Sequence, residues 1–275
     1  MKLIIHPASA EILDKMTVSL PHAVLLSGQA GLGVSTIATN IAMQQTKTPS
    51  VVLPEKDDKI DLEKGTITVD SIRRLYTETR SKQAAKRVIV IDYADRMTHQ
   101  AQNAFLKLLE EPNETTHFIL ASHQPDRLLA TVLSRVQHFQ LPPATTEQSN
   151  ALLDDLTVTD PTKRTQLLLM ADGLPAELHR LCADDAYFDR RATMMRDARQ
   201  LLQGSPYGKL LIAHNYRDDR PKSLRLIEDA IRIARRTLSK NMQPELVMYL
   251  DRLLYAYDRI LANGNIRLSI ATLVI

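Results

Sequence analysis

Cysteine occurs once in this chain, at Cys182, tryptophan not at all, and aromatic residues make up 4% of it. A single thiol excludes an intramolecular disulfide and suits a reducing compartment such as the cytoplasm. So few aromatics leave the core to Leu, Ile, Val, Ala and Met. No stretch approaches the ~20 apolar residues of a membrane span. The apolar run within Met1–Pro7 is too short for a signal peptide, so none is expected. Charge of one sign is lacking too: 35 Lys and Arg against 32 Asp and Glu leave +3, which permits contact with nucleic acid without arguing for it. What remains is 275 residues, 44% hydrophobic and 24% charged, the composition of a soluble chain with room for two or three small domains.

The most telling absence is one lysine. Gly28-Gln29-Ala30-Gly31-Leu32-Gly33-Val34-Ser35-Thr36 has the spacing of a phosphate-binding loop, but Val34 stands where the pattern requires Lys. The setting suits the motif. His22–Ser27 reads as a buried strand, and Thr36–Gln45 carries Ile37, Ile41 and Met43 at helical spacing. Gly28, Gly31 and Gly33 would let the backbone aim its N–H groups at phosphate, at a helix N-terminus that adds partial positive charge. Ser35 and Thr36 come next, with the Ser35 hydroxyl at the place that meets Mg²⁺. A second strand, Arg87–Ile91, delivers Asp92 at its C-terminal end, where ligands of open α/β sheets bind. In nucleotide hydrolases of this kind that aspartate holds the metal, and in many the next residue is a glutamate that orients water. Here the next residue is Tyr93. Two elements of hydrolysis are therefore missing.

From Arg87 to Phe139 the chain resembles the bacterial clamp-loader AAA+ proteins. The resemblance rests on Asp92–Met97, on Asn103-Ala104-Phe105-Leu106-Lys107-Leu108-Leu109-Glu110-Glu111-Pro112, on His117–Ser122 and on Leu128–Val136. Ile67–Leu75 and Asn263–Ile270 are similar to further family segments. The resemblance implies an α/β P-loop (AAA+) parallel sheet domain over 1–142, a small helical lid over 143–185 and an all-helical, oligomerising collar over 186–275. It also implies that Arg135, supported by Ser134, is an arginine finger that reaches into a neighbour's ATP site. Such a residue is worth roughly 10³–10⁵ in rate. Ser122 takes the sensor place at a strand end. The lid motif, Gly173-Leu174-Pro175-Ala176, lacks its usual arginine, a third loss at the same site. Family members commonly carry a four-cysteine zinc module between the loop helix and the Ile67 segment, but residues 45–66 hold no cysteine. A structural zinc site needs four ligands, so no metal is expected.

The resemblance, with these losses, implies a subunit that does not hydrolyse ATP and requires no cofactor, with retention of ATP or ADP left open. Its partners would be the gamma/tau and delta subunits, the sliding clamp and primer–template DNA, the last through phosphate contacts independent of sequence. Arg73, Arg74, Arg80, Lys82, Arg96 and Lys107 are candidates for those contacts. Arg225, Arg232 and Arg236 also lie along one helix face, with Arg235 and Lys240 nearby, but a solvated face, or one that pairs with an acidic neighbour subunit, explains that basic stripe better than DNA binding does. An ATPase whose lysine comes from elsewhere, and a scaffold that holds an anion for its fold, are the alternatives. Lys47 is poorly placed to serve the first.

Along the chain, strands are expected at Val24–Ser27, Val51–Leu53, Val88–Asp92, Phe118–Ser122 and Val136–Leu141. Pro142-Pro143 marks a boundary, and lid helices open at Thr145–Glu147, Pro161 and Pro175. Helices then span Asp189–Gln203, Lys222–Lys240 and Pro244–Leu261, with Gly204-Ser205-Pro206 a stop and a last helix after Asn263-Gly264-Asn265. The histidines lack metal spacing, and His117 reads as structural.

Overall fold

A computed structural model of the chain describes residues 4–80, 86–110 and 115–274. It divides into two compact units, residues 1–182 and 183–275. The second opens three residues before the expected collar boundary, and the sheet and the lid helices form one unit.

In the first unit, α1 (Pro7–Val18) leads to β1 (Ala23–Ser27), α2 (Val34–Gln45) and β2 (Ser50–Val52). A hairpin, β3 (Glu55–Lys56) and β4 (Lys59–Ile60), comes next, then α3 (Val69–Arg80) and β5 (Arg87–Ile91). After α4 (His99–Glu110) come β6 (Thr116–Ser122), the short α5 (Ala130–Leu133) and β7 (Gln137–Gln140). The five-stranded sheet runs β2-β5-β6-β1-β7, and every pairing in it is parallel. In register, Leu25 pairs with Leu120 and Leu120 with Ile91, so Ser27, Asp92 and Ser122 all come out at the C-terminal edge.

Successive side chains on the central strands alternate between two cores. Val24, Leu26, Val88, Val90, Ile119 and Ala121 meet α1 and α2 on one face. Leu25, Ile89, Ile91, Phe118 and Leu120 meet α3 and α4 on the other. Burial on both faces is why these strands read as unbroken apolar runs. The strand ends differ from those expected: β1 begins one residue earlier and β6 two, β2 and β5 each lie one residue earlier than Val51–Leu53 and Val88–Asp92, and β7 is shorter than Val136–Leu141 at both ends.

The stretch where the family's zinc module would lie forms the β3–β4 hairpin. The Asp61 carboxylate accepts the amides of Glu63 and Lys64 at 2.9 and 2.8 Å, and those bonds hold its carboxyl below the usual range. Three helices complete the unit: α6 (Thr146–Asp155), α7 (Pro161–Ala171) and α8 (Pro175–Ala183). Thr145 and Gln148 form a reciprocal capping box on α6, and Asp160 caps α7 ahead of Pro161.

The second unit holds α9 (Asp185–Gln203), α10 (Pro206–Asn215), α11 (Arg220–Leu238), α12 (Pro244–Leu261) and α13 (Ile266–Ala271). Helix α9 starts earlier than expected because Asp184 caps it, accepting the Tyr187 amide at 2.8 Å. Helix α10 corrects the reading of Gly204-Ser205-Pro206 as a stop alone. Ser205 caps a new helix and Pro206 sits in its first turn, where no N–H is needed. Inside this unit Arg191 of α9 forks onto Asp229 of α11, with bonds of 2.7 and 3.1 Å, and both side chains are buried. Among the described residues no helix is long and apolar enough to cross a membrane.

Candidate functional site: a closed nucleotide loop and an exposed arginine

The loop between β1 and α2 brings Gly28, Gly31, Gly33, Ser35 and Thr36 to the C-terminal edge of the sheet beside Asp92. Helix α2 begins at Val34, two residues earlier than expected, with Gly33 capping it at φ 92°. The amides of Gly33, Val34, Ser35 and Thr36 donate to no backbone acceptor among the described residues, as expected for a helix N-terminus.

The interior of the loop is apolar. Val34 is fully buried and Leu32 nearly so, and both belong to the core cluster that continues into α1, α2 and Leu174. They press on Gly28: a methyl group there would stand 2.6 Å from Leu32 Cδ2 and 3.1 Å from Val34 Cγ2. A larger residue at Gly28 would therefore have to displace the Leu32 side chain packed against its backbone. Gly31 is required by conformation, with φ +93° and a Cβ that would meet Glu177 Cβ at 3.0 Å. Its carbonyl accepts the amides of Ala176 and Glu177, at 2.9 and 3.1 Å, from the start of α8. At the place of the missing lid arginine, Ala176 therefore ties the lid to the loop through main chain.

The polar groups of the site are engaged with one another. The Ser35 hydroxyl donates to Asp92 Oδ1 at 2.7 Å, and the Tyr93 amide donates to the same oxygen at 2.9 Å. Ser122 donates to Asp95 Oδ1 at 2.8 Å, and the His123 amide does so at 3.0 Å. His123 Nδ1 meets the Gly28 carbonyl at 3.0 Å. Tyr93 has a left-handed backbone, φ 52°, which is uncommon for a bulky residue. Its ring lies edge-on to His123 with centroids 5.5 Å apart, and the Arg96 guanidinium sits 5.3 Å from the Tyr93 centroid. Burial first, and then the Asp92 charge, raise the Tyr93 phenol above its ordinary pKa, so it is neutral at physiological pH.

Arg135 and Ser134 lie apart from this network, after α5. Arg135 Nη2 pairs with Glu110 Oε1 at 2.9 Å, and Nη1 donates to the Thr131 carbonyl at 3.0 Å and to Ser134 Oγ at 3.4 Å. The side chain is 38% exposed.

Sequence reasoning missed Gln102. It is buried on α4, donates to the Met97 and Arg127 carbonyls, both at 3.2 Å, and accepts the Leu129 amide at 2.7 Å. It links the turn after β5 to the segment that leads to Arg135. The signal was a glutamine on the core stripe of Ala101, Phe105 and Leu108. The roles of Leu32, Asp95 and His123 were missed as well.

Of the candidate DNA contacts, Arg73 pairs with Asp70 at 3.2 Å, Arg74 pairs with Glu55 at 3.1 Å, and Lys107 is exposed. Lys82 and the side chain of Arg80 lie outside the described residues, as do Glu111 and Pro112 of the long motif. In the basic stripe, Arg232 lies 3.8 Å from Asp229, and Arg235 and Arg236 are exposed in the last turn of α11. His117 Nδ1 meets the Pro21 carbonyl at 3.0 Å, and burial lowers its pKa, which fits a structural role.

Comparison with known proteins bears on the chain's family and fold. The family described as "DNA polymerase III, delta subunit" matches residues 10–145. A DNA polymerase III subunit delta' from Bacillus subtilis is 35% identical over 115 residues, 42% of this chain and 34% of that one. The subunit delta' of Escherichia coli is 31% identical over 157 residues, 56% of this chain and 46% of that one. A DNA polymerase III subunit gamma/tau from Mycobacterium tuberculosis is 30% identical over 191 residues, 54% of this chain and 33% of that one. The chain thus spans about a third to a half of the length of these relatives. A DNA polymerase III gamma subunit-related protein from Thermotoga maritima shares the fold, with TM-score 0.51 over 96% of either chain at 18% identity. The chain has the fold of an α/β P-loop (AAA+) sheet domain followed by helical lid and C-terminal helical parts, and over residues 10–145 it is similar to the DNA polymerase III delta-subunit family, with bacterial clamp-loader delta' and gamma/tau subunits among its relatives.

Proposed function

We propose that this chain is a non-hydrolysing, delta'-like subunit of a DNA polymerase III clamp loader. It acts as a stator and lends Arg135, with Ser134, to the ATP site of a neighbouring gamma/tau-type subunit. The observation that carries this reading is the apolar filling of the chain's own loop. Leu32 and Val34 pack against Gly28 where a lysine would have reached phosphate, and Tyr93 stands after Asp92 where a carboxylate would have oriented water. Arg135, by contrast, is exposed, and its ion pair with Glu110 is itself open to water, which leaves the guanidinium within reach of an acceptor outside the chain.

In this reading residues 143–185 serve as the lid and 186–275 as the collar that assembles with the other subunits. The loader, including a delta subunit, opens the sliding clamp at primer–template junctions in the bacterial cytoplasm, and any DNA contact of this chain is to phosphate. No cofactor is needed at the chain's own loop.

The test has two arms. The purified chain with Mg-ATP and primed DNA is expected to show no turnover above background, and clear turnover would favour the motor reading. In a loader reconstituted with its motor subunits, Arg135→Ala is expected to lower ATPase by about tenfold or more with assembly intact. An unchanged rate would remove the finger.

A further inference from the structure

Arg135 is held from two sides. Its Nη1 contacts, the Thr131 carbonyl and Ser134 Oγ, come from its own turn. The contact from a separate element is Glu110, the last residue of α4, whose Oε1 lies 2.9 Å from Nη2. A long arginine side chain samples many rotamers, and contacts within its own turn leave most of its swing open. The carboxylate from α4 selects one direction. No hydrogen bond from Nε–H is seen among the described residues, so that edge of the guanidinium remains available to an incoming anion.

We infer that Glu110 is the positioning residue for Arg135, orienting its guanidinium before a neighbouring nucleotide arrives and yielding it to phosphate on engagement. This rests on the reading of Arg135 as a residue that serves a neighbour's nucleotide site. The pair is suited to hand over its arginine. Glu110 is 51% exposed and Arg135 38%, and ion pairs this open to water are weak. A polyphosphate carries more charge than one carboxylate and matches the planar fork as well. Glu110 therefore sets the starting geometry without blocking the handover. Orientation of this kind acts on the rate of the chemical step, because a guanidinium that is already aimed loses less freedom on reaching the transition state.

The experiment uses the loader reconstituted from the full chain, its motor subunits, clamp and primed DNA, with ATP turnover measured across ATP concentration. Glu110→Ala is expected to lower kcat about fivefold with KM for ATP unchanged. Glu110→Gln, which keeps the length and an acceptor oxygen, is expected to restore most of that loss. In an Arg135→Ala background, Glu110→Ala should have no further effect. If Arg135→Ala alone leaves turnover unchanged, the finger reading itself fails. If Arg135→Ala lowers turnover while Glu110→Ala leaves it unchanged or raises it, the finger stands and the positioning role is overturned. An equal loss from Glu110→Ala with and without Arg135 would mean that Glu110 acts through fold or assembly, and that too overturns it.

Discussion

The Ser35 hydroxyl donates to the Asp92 carboxylate at 2.7 Å, joining the first turn of α2 directly to the end of β5. In a metal-dependent nucleotide site, a hydroxyl and a carboxylate at these two places serve a cation. Here they bond to each other and act as a cross-brace, and the Tyr93 amide completes the carboxylate's partners at 2.9 Å.

This arrangement separates stability from turnover. Asp92→Ala is expected to leave two donors without their acceptor at a buried position, at a cost of about 1–3 kcal/mol. The chain's denaturation midpoint should fall. Turnover of the reconstituted loader, measured well below that midpoint, should stay at the wild-type level. A loader that lost most of its ATPase with Asp92→Ala, at unchanged stability, would show that this carboxylate serves chemistry.

Restoring the missing lysine should not restore the site. Val34 has no exposed surface and packs with Leu32 against Gly28. Val34→Lys would force an ammonium into hydrocarbon or expel the loop from its packing, costing about 3 kcal/mol or more. Turnover is expected to remain at background, since Tyr93 still replaces the water-orienting residue. The check is an ATPase assay beside a thermal melt; a stable, hydrolysing Val34→Lys chain would contradict the loop's description as apolar core.

The sequence was informative wherever one residue type has one physical use. Strands buried on both faces gave continuous apolar runs, and Pro244 with Asn263-Gly264 marked both ends of α12. It was ambiguous where one residue type serves two ends. Gly204-Ser205-Pro206 stops α9, yet Ser205 and Pro206 also open α10, because a cap and a first-turn proline satisfy the next helix. In the loop, the loss of lysine was plain from residue types alone. That Leu32 turns inward beneath Gly28 depends on the backbone angles at Gly31 and Gly33, which no spacing rule reports. The Glu110–Arg135 pair joins the end of one helix to the turn after another, and only tertiary structure brings them together.

In the C-terminal unit the Arg191–Asp229 pair gives an asymmetric prediction. Both side chains are almost wholly buried, and the fork is bidentate. Arg191→Ala is expected to cost about 3–5 kcal/mol, because it leaves a buried carboxylate without its main partner. The double change Arg191→Met with Asp229→Leu removes both charges and is expected to recover most of that loss. Denaturation midpoints of the full chain measure the difference. A double variant as unstable as Arg191→Ala would show that the pair contributes more than mutual compensation.

Alkaline pH gives the last test. Tyr249 donates its hydroxyl to the Leu201 and Leu273 carbonyls, at 2.6 and 3.0 Å, and burial pushes its phenol up to about 12. A folded pKa above the unfolded value of 10 means that the fold favours the neutral phenol. Its contribution is complete below pH 10 and is lost as pH rises from 10 through about 12. Lys209 stands 4.3 Å from the Tyr249 ring, and burial lowers its pKa, so it opposes this trend by losing its proton more readily in the fold. Tyr249→Phe removes the phenol's titration at a cost of about 1 kcal/mol in lost hydrogen bonding at neutral pH. Its stability should then fall less steeply than wild type between pH 10 and 12, with the decline that remains coming from Tyr257, also pushed up to about 12, and from Tyr216 and Tyr93, whose phenols burial raises as well. Chemical denaturation of both chains at several pH values in that window decides the matter. Parallel curves would mean that Tyr249 is no more protonated in the fold than in the unfolded chain.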